Sequence, residues 1–83
     1  MKIIFSKHAL GQMQERGATR SEVSEAITEG EKISAKKGRL GFRLNVQYDA
    51  KWAGKHYKMK QVMPIVVGER RSYVVVTVYV FYF

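Results

Sequence analysis

A change of period at Gly30 limits this chain more than any other feature. Upstream of it apolar residues recur at helical spacing. Ala9, Leu10, Met13 and Gly17 share one face of a segment that Ser6 can cap, and Val23, Ala26, Ile27 and Gly30 recur at i, i+3, i+4 and i+7. Thr19 and Glu22 spell a T-x-x-E capping box for the second helix. Gly17-Ala18 separates the two, and Gly30 is placed to end the second in a left-handed cap. Downstream the period becomes two. LGFRLNVQY, from Leu40 to Tyr48, alternates apolar and polar residues as a strand with one wet face does. HYKMKQVMPIVV, from His56 to Val67, is also strand-like, with Pro64 pointing to an edge position or a bulge. Gly68 to Ser72 reads as a turn. YVVVTVYVFYF, from Tyr73 to Phe83, is β-branched and aromatic throughout, which suits a central strand apolar on both faces. KIIF at Lys2 to Phe5 and a stretch near Lys32 to Lys36 are further short strand candidates.

Helices followed by strands predict one α+β domain over residues 1–83. Its two N-terminal helices pack on one face of a three- to four-stranded, mainly antiparallel twisted sheet. On the last strand Val74, Val76, Val78 and Val80 form one face, expected to meet the helices. Tyr73, Val75, Thr77, Tyr79 and Phe81 form the other. That second face would set hydroxyls and rings beside lysines and arginines such as Arg43, a surface suited to single-stranded RNA. A chain of 83 residues buries only about 60 to 65% of its unfolded surface, and without cysteine its stability rests on packing or on a partner.

The charge pattern narrows the partner. Met1 to Glu31 carries four basic and five acidic residues, whereas Lys32 onward carries eleven basic residues against Asp49 and Glu69. A basic surface confined to one part of a small domain favours a polyanion, because phosphate neutralisation releases counterions. No apolar run reaches membrane-spanning length, and a cysteine-free chain fits a reducing cytoplasm. No membrane partner is expected.

Several chemistries lack their residues. His8 and His56 are far apart and have no ligand-spaced neighbour, so no metal site is expected. Glycine-rich phosphate loops, G-x-S-x-G and thiol nucleophiles are absent, and no cofactor is expected. RNA cleavage without metal stays open, because the substrate supplies its own 2′-hydroxyl nucleophile. It needs a proton carrier, positive charge at the phosphorane and a proton for the leaving oxygen. His8, Gln12 and Arg16, at i, i+4 and i+8, fall within an arc of about 80° on the first helix and place imidazole, amide and guanidinium together.

SKHALGQMQERGATRSEV resembles the opening motif of domain-of-unknown-function family 4258, S-x-H-A-x-x-R-M-x-x-R-G-[IV]-[ST]-x-x-[DE]-V. VVVTVY, at Val74 to Tyr79, resembles its closing strand. That family is grouped with the RelE-like ribonuclease toxins, in the superfamily that includes barnase and EndoU. The resemblance implies a RelE-like fold and a metal-independent endoribonuclease of toxin type. Its partners would be RNA, including ribosome-bound mRNA or tRNA, and a small acidic antitoxin or immunity protein. His8 matches the motif histidine, Arg16 its second basic position, and Thr77 with Tyr79 the terminal hydroxyl pair. The chain departs from the motif at Gln12, which replaces an arginine, and at Ala18, where a branched residue is usual. Lys58 and Lys60, on one strand face, are candidate phosphate ligands in its place, and Gln12 and Arg43 candidate substrate contacts.

Each assignment has a plainer alternative. Arg16 can serve a helix end or a salt bridge. Thr77 can be a strand former whose hydroxyl bonds a neighbour, and Tyr79 and Phe81 can be sheet packing or part of an interface. Trp52 and His56 can cover a sheet edge. For the whole chain, the alternatives are a noncatalytic RNA- or ribosome-binding module and a homodimer joined through the apolar last strand.

Overall fold

The computed structural model describes residues 1–83. Strand β1 (Lys2–Phe5) is followed by helices α1 (Lys7–Arg16) and α2 (Arg20–Glu29). The chain continues with β2 (Glu31–Ser34), a single 3-10 turn (Lys36–Gly38), β3 (Leu40–Trp52), β4 (Lys55–Glu69) and β5 (Ser72–Tyr82). The sheet order is β1-β5-β4-β3-β2. The expected α+β arrangement is found, but the sheet has five strands and is mixed: β1 runs parallel to β5 and all other pairs are antiparallel. Both four-residue strands are too short to show an alternating pattern, so the sequence counts them weakly. Their neighbours in the sheet supply the pairing that their length does not.

The helix signals act as written. The Ser6 hydroxyl accepts from Ala9 N at 3.0 Å. Thr19 and Glu22 close a reciprocal capping box, Glu22 N to Thr19 Oγ1 at 3.1 Å and Thr19 N to Glu22 Oε1 at 2.9 Å. Gly17 ends α1 in the left-handed region at φ 80°. Gly30 does not take the left-handed cap expected of it. Its φ is −76° and its ψ 170°, because α2 passes straight into β2 without reversing. Glycine is required there for a different reason: a Cβ would lie 2.7 Å from the Arg43 carbonyl oxygen and still closer to that of Ala26.

Pro64 does not lie at an edge, since β4 runs between β3 and β5. Bridged pairing of β3 with β4 stops at Gly41↔Ile65 and resumes at Leu44↔Val62, so the interruption lies where Pro64 has no N–H to donate. Beside it, β5 carries one extra residue. The register passes from Ile65↔Thr77 to Val66↔Val75, which leaves Val76 as a bulge. A bulge exchanges the faces of everything beyond it, and the expected valine face is corrected accordingly. Tyr73, Val75, Val78 and Val80 pack toward the helices, with Val75 and Val78 fully buried, while Thr77, Tyr79 and Phe81 stay on the open face. The core lies between α1, α2 and this side of the sheet, around Ala9, Met13, Val23, Ile27, Phe42, Val62 and Val66.

Candidate nucleic-acid interface

β1 pairs with β5 only as far as Phe5↔Val75, so the rest of β5 has one side without a strand neighbour. α1 fills that place. Ser6 N donates to Val75 O at 3.0 Å at its start, and the Tyr82 hydroxyl donates to Arg16 O at 2.6 Å at its end, so α1 runs alongside β5 in the same direction. Between these points Val78 N donates to Gln12 Oε1 at 2.9 Å, and Arg16 Nη1 donates to Val78 O at 2.7 Å. Two side chains one helical turn apart thus make the hydrogen bonds that a sixth strand would make. The guanidinium also lies 5.6 Å from the centre of the Tyr79 ring. Gln12, expected to contact substrate, is a backbone acceptor here, a role that the arginine of the family motif cannot fill. Gln12→Leu is expected to leave Val78 N–H unpaired at a cost of about 1 to 2 kcal/mol, and Gln12→Arg to cost at least as much. Urea unfolding checks this, and wild-type stability in both variants would remove the clasp as a structural element.

His8 lies one turn before Gln12, level with the bulged part of β5. It is exposed, and its imidazole makes no hydrogen bond within the chain. On the open face, Thr77 and Tyr79 line a cleft of about 300 Å3 together with Ile65, and Lys36, Lys37 and Arg39 form the opposite wall. Beside it, Gly41 leaves room for the Ile33 and Ile65 side chains, which a Cβ there would meet at 2.8 and 3.1 Å. The basic wall is a tight loop closed by Ala35 N to Arg39 O at 3.1 Å, with Lys37 held in the left-handed region at φ 60°. The three cations make no ion pair, and the Thr77 hydroxyl makes no hydrogen bond within the chain. Sequence reasoning passed over these three residues. Their signal is the run AKKGR, whose meaning depends on which strand it folds against.

Other candidates lie elsewhere. Lys60 was expected to point outward beside Lys58. It is 5% exposed, its ammonium 2.7 and 2.9 Å from the two Glu22 carboxylate oxygens, 3.0 Å from Gly17 O and 5.2 Å from the centre of the Tyr48 ring. It belongs to the packing of α2 on the sheet, because residues of its strand face meet helices from Lys60 onward. Lys58, two residues earlier, is beyond the helices and lines an open depression with Gln47, Asp49 and Met59. Arg43 on the open face is paired with Glu31 of β2. His56 Nε2 lies 2.9 Å from Asp49 Oδ1. Trp52 stacks on Tyr82 at 4.9 Å between ring centres, next to Gly17. Burial pushes the Tyr82 hydroxyl up to about 12, with Tyr48 and Glu22 adding to the effect. No three His, Cys, Asp or Glu side chains come together as a metal site would need, and no helix is long and apolar enough to cross a membrane.

The family model described as Domain of unknown function (DUF4258) matches residues 5–80, a span that takes in α1, α2, the basic loop and β5 through Val80. No curated protein matches the chain, and no solved structure does.

Proposed function

From the premise that this chain belongs to the DUF4258 family, we propose that it is a metal-independent endoribonuclease that holds RNA in the cleft beside β5. The observation that carries the reading is the cleft itself. Three cations without carboxylate partners face two hydroxyl-bearing side chains across an aliphatic floor. This arrangement suits a phosphate chain, with Lys36, Lys37 and Arg39 meeting phosphate oxygens and Thr77 and Tyr79 meeting the sugar. His8, across the edge of β5, is the proton carrier. It takes the 2′-hydroxyl proton as that oxygen attacks phosphorus, or supplies one to the departing 5′-oxygen. Arg16 positions Tyr79 through the Val78 carbonyl and the ring, while the loop cations meet the charge growing on the phosphorane. In the toxin setting that the RelE-like resemblance implies, a small acidic protein covering the same cations would silence the domain.

A second reading, a binding module without chemistry, is favoured by one observation: Gln12 and Arg16 are both committed to Val78. Incubation of labelled RNA in EDTA separates the two. Cleavage by the wild-type chain, reduced about 100-fold or more in His8→Ala, is the expected result. Equal cleavage by both proteins overturns the assignment of His8, and binding without cleavage by either establishes the module.

A further inference from the structure

The open face continues beyond the cleft, and its pattern is regular. In register across β3, β4 and β5, the row ending in Thr77 contains Gly41 and Ile65. Met63 pairs with Tyr79 in the next row, then Asn45 and Gln61 with Phe81, and finally Gln47 and Met59 with Phe83. From Gly41 to Gln47 is six residues, about 20 Å of strand. Cations stand at one end, Lys36, Lys37 and Arg39. Along the face from them the Tyr79 and Phe81 rings, 41% and 46% exposed, lie 6.4 Å apart and within 18° of parallel. Beside Phe81, Gln61 Nε2 donates to Asn45 Oδ1 at 2.9 Å, leaving amide groups of both side chains facing solvent.

We propose that this face is a track for an unpaired RNA strand laid along β5, with Tyr79 and Phe81 each stacking one base and the Asn45–Gln61 rung reading a base edge. The proposal rests on the RNA reading of the cleft and extends it to a strand class and a direction. Charge and polarity choose the occupant. A second copy would bring like-charged clusters together on a chain of net charge +8. An apolar helix would bury the amide rung without partners for its remaining groups. A duplex keeps its base faces stacked inside and offers nothing to the rings, whereas unpaired bases can stack on aromatic side chains of an open sheet.

Fluorescence anisotropy with a labelled 2′-O-methyl RNA hexamer, which lacks the nucleophile and cannot be cleaved, tests the track against the same strand annealed to its complement. The single strand is expected to bind at least about 10-fold tighter than the duplex. Phe81→Ala, at a half-exposed position, is expected to leave thermal unfolding unchanged and to weaken single-strand binding about 10-fold with little effect on the duplex. The Lys36→Glu/Lys37→Glu variant is expected to weaken both and to flatten the dependence on salt. Wild-type affinity in Phe81→Ala together with loss in the lysine variant overturns the track while the RNA reading stands. Absence of binding to either RNA overturns both. A polyglutamate peptide bound as tightly as the RNA, or a sedimenting dimer that Phe81→Ala dissociates, gives the face to a protein and overturns the track.

Discussion

Glu22→Gln is expected to lower the unfolding free energy by about 3 kcal/mol at neutral pH, on the order of 15 °C in Tm for a domain of this size. The substitution keeps an oxygen for Thr19 N and for Lys60, so the cap survives and only the charge is lost. What remains is an ammonium 5% exposed whose other contacts are one carbonyl oxygen and the face of Tyr48. Glu22→Gln/Lys60→Met is expected to recover most of the loss, because a methionine among Tyr48, Tyr82 and the α2 face has no charge to desolvate. Circular dichroism melts of the three proteins check this, and a loss below about 0.5 kcal/mol would make the pair equivalent to an exposed one. The same pair sets a pH dependence. Burial alone would raise the Glu22 carboxyl, but hydrogen bonds from Lys60 and Thr19 and the ammonium charge outweigh it and hold the group below its usual 4.5. A carboxyl lowered by folding contributes stability that is full above its unfolded pKa and is lost as pH falls through the folded value. The wild-type chain should therefore lose stability on acidification below about pH 4, more steeply than Glu22→Gln.

The second large effect is expected at Gly30. Gly30→Ala places a methyl group against the carbonyl oxygens of Ala26 and Arg43. Both oxygens belong to backbone, one in α2 and one in β3, so no side-chain rotation makes room and the helix must move off the sheet. The expected cost is about 3 kcal/mol, at the upper end for overpacking. Gly11→Ala is the companion measurement. Nothing lies within 4 Å of the added methyl group in the middle of α1, and the gain in helix propensity should stabilise the chain by about 0.5 to 1 kcal/mol. Opposite shifts in Tm are expected, and equal shifts would show that the close approach at Gly30 yields easily.

The helical half of this chain is legible because its signals are local. Ser6, Thr19 and Glu22 act on backbone groups three residues away, and the apolar spacing of α2 names Val23, Ala26 and Ile27 as buried. The sheet is harder to read because its decisive events involve residues distant in sequence. The bulge at Val76 is invisible in a run of valines that would alternate equally well in either phase, and it decides which of them reach the core. Lys58 and Lys60 share a strand face, yet only one lies under α2, and spacing does not locate the helix. At the site, the i, i+4 and i+8 spacing sets His8, Gln12 and Arg16 along one side of α1. That two of them are occupied by Val78 follows from β1 being too short to cover β5, a fact about pairing length.

The parallel pairing of β1 with β5 joins Lys2 to Ser72, so the first strand waits for a partner made about seventy residues later. β3, β4 and β5 are successive antiparallel neighbours and can assemble in order of synthesis, whereas β1 must close a loop that contains nearly everything else. Until that closure α1 is not held against β5, and the apolar run of β5 from Val76 onward lies open to strand addition by another molecule. Docking of the N-terminal segment is thus expected as the late step of folding, its rate setting how long the domain is exposed to aggregation.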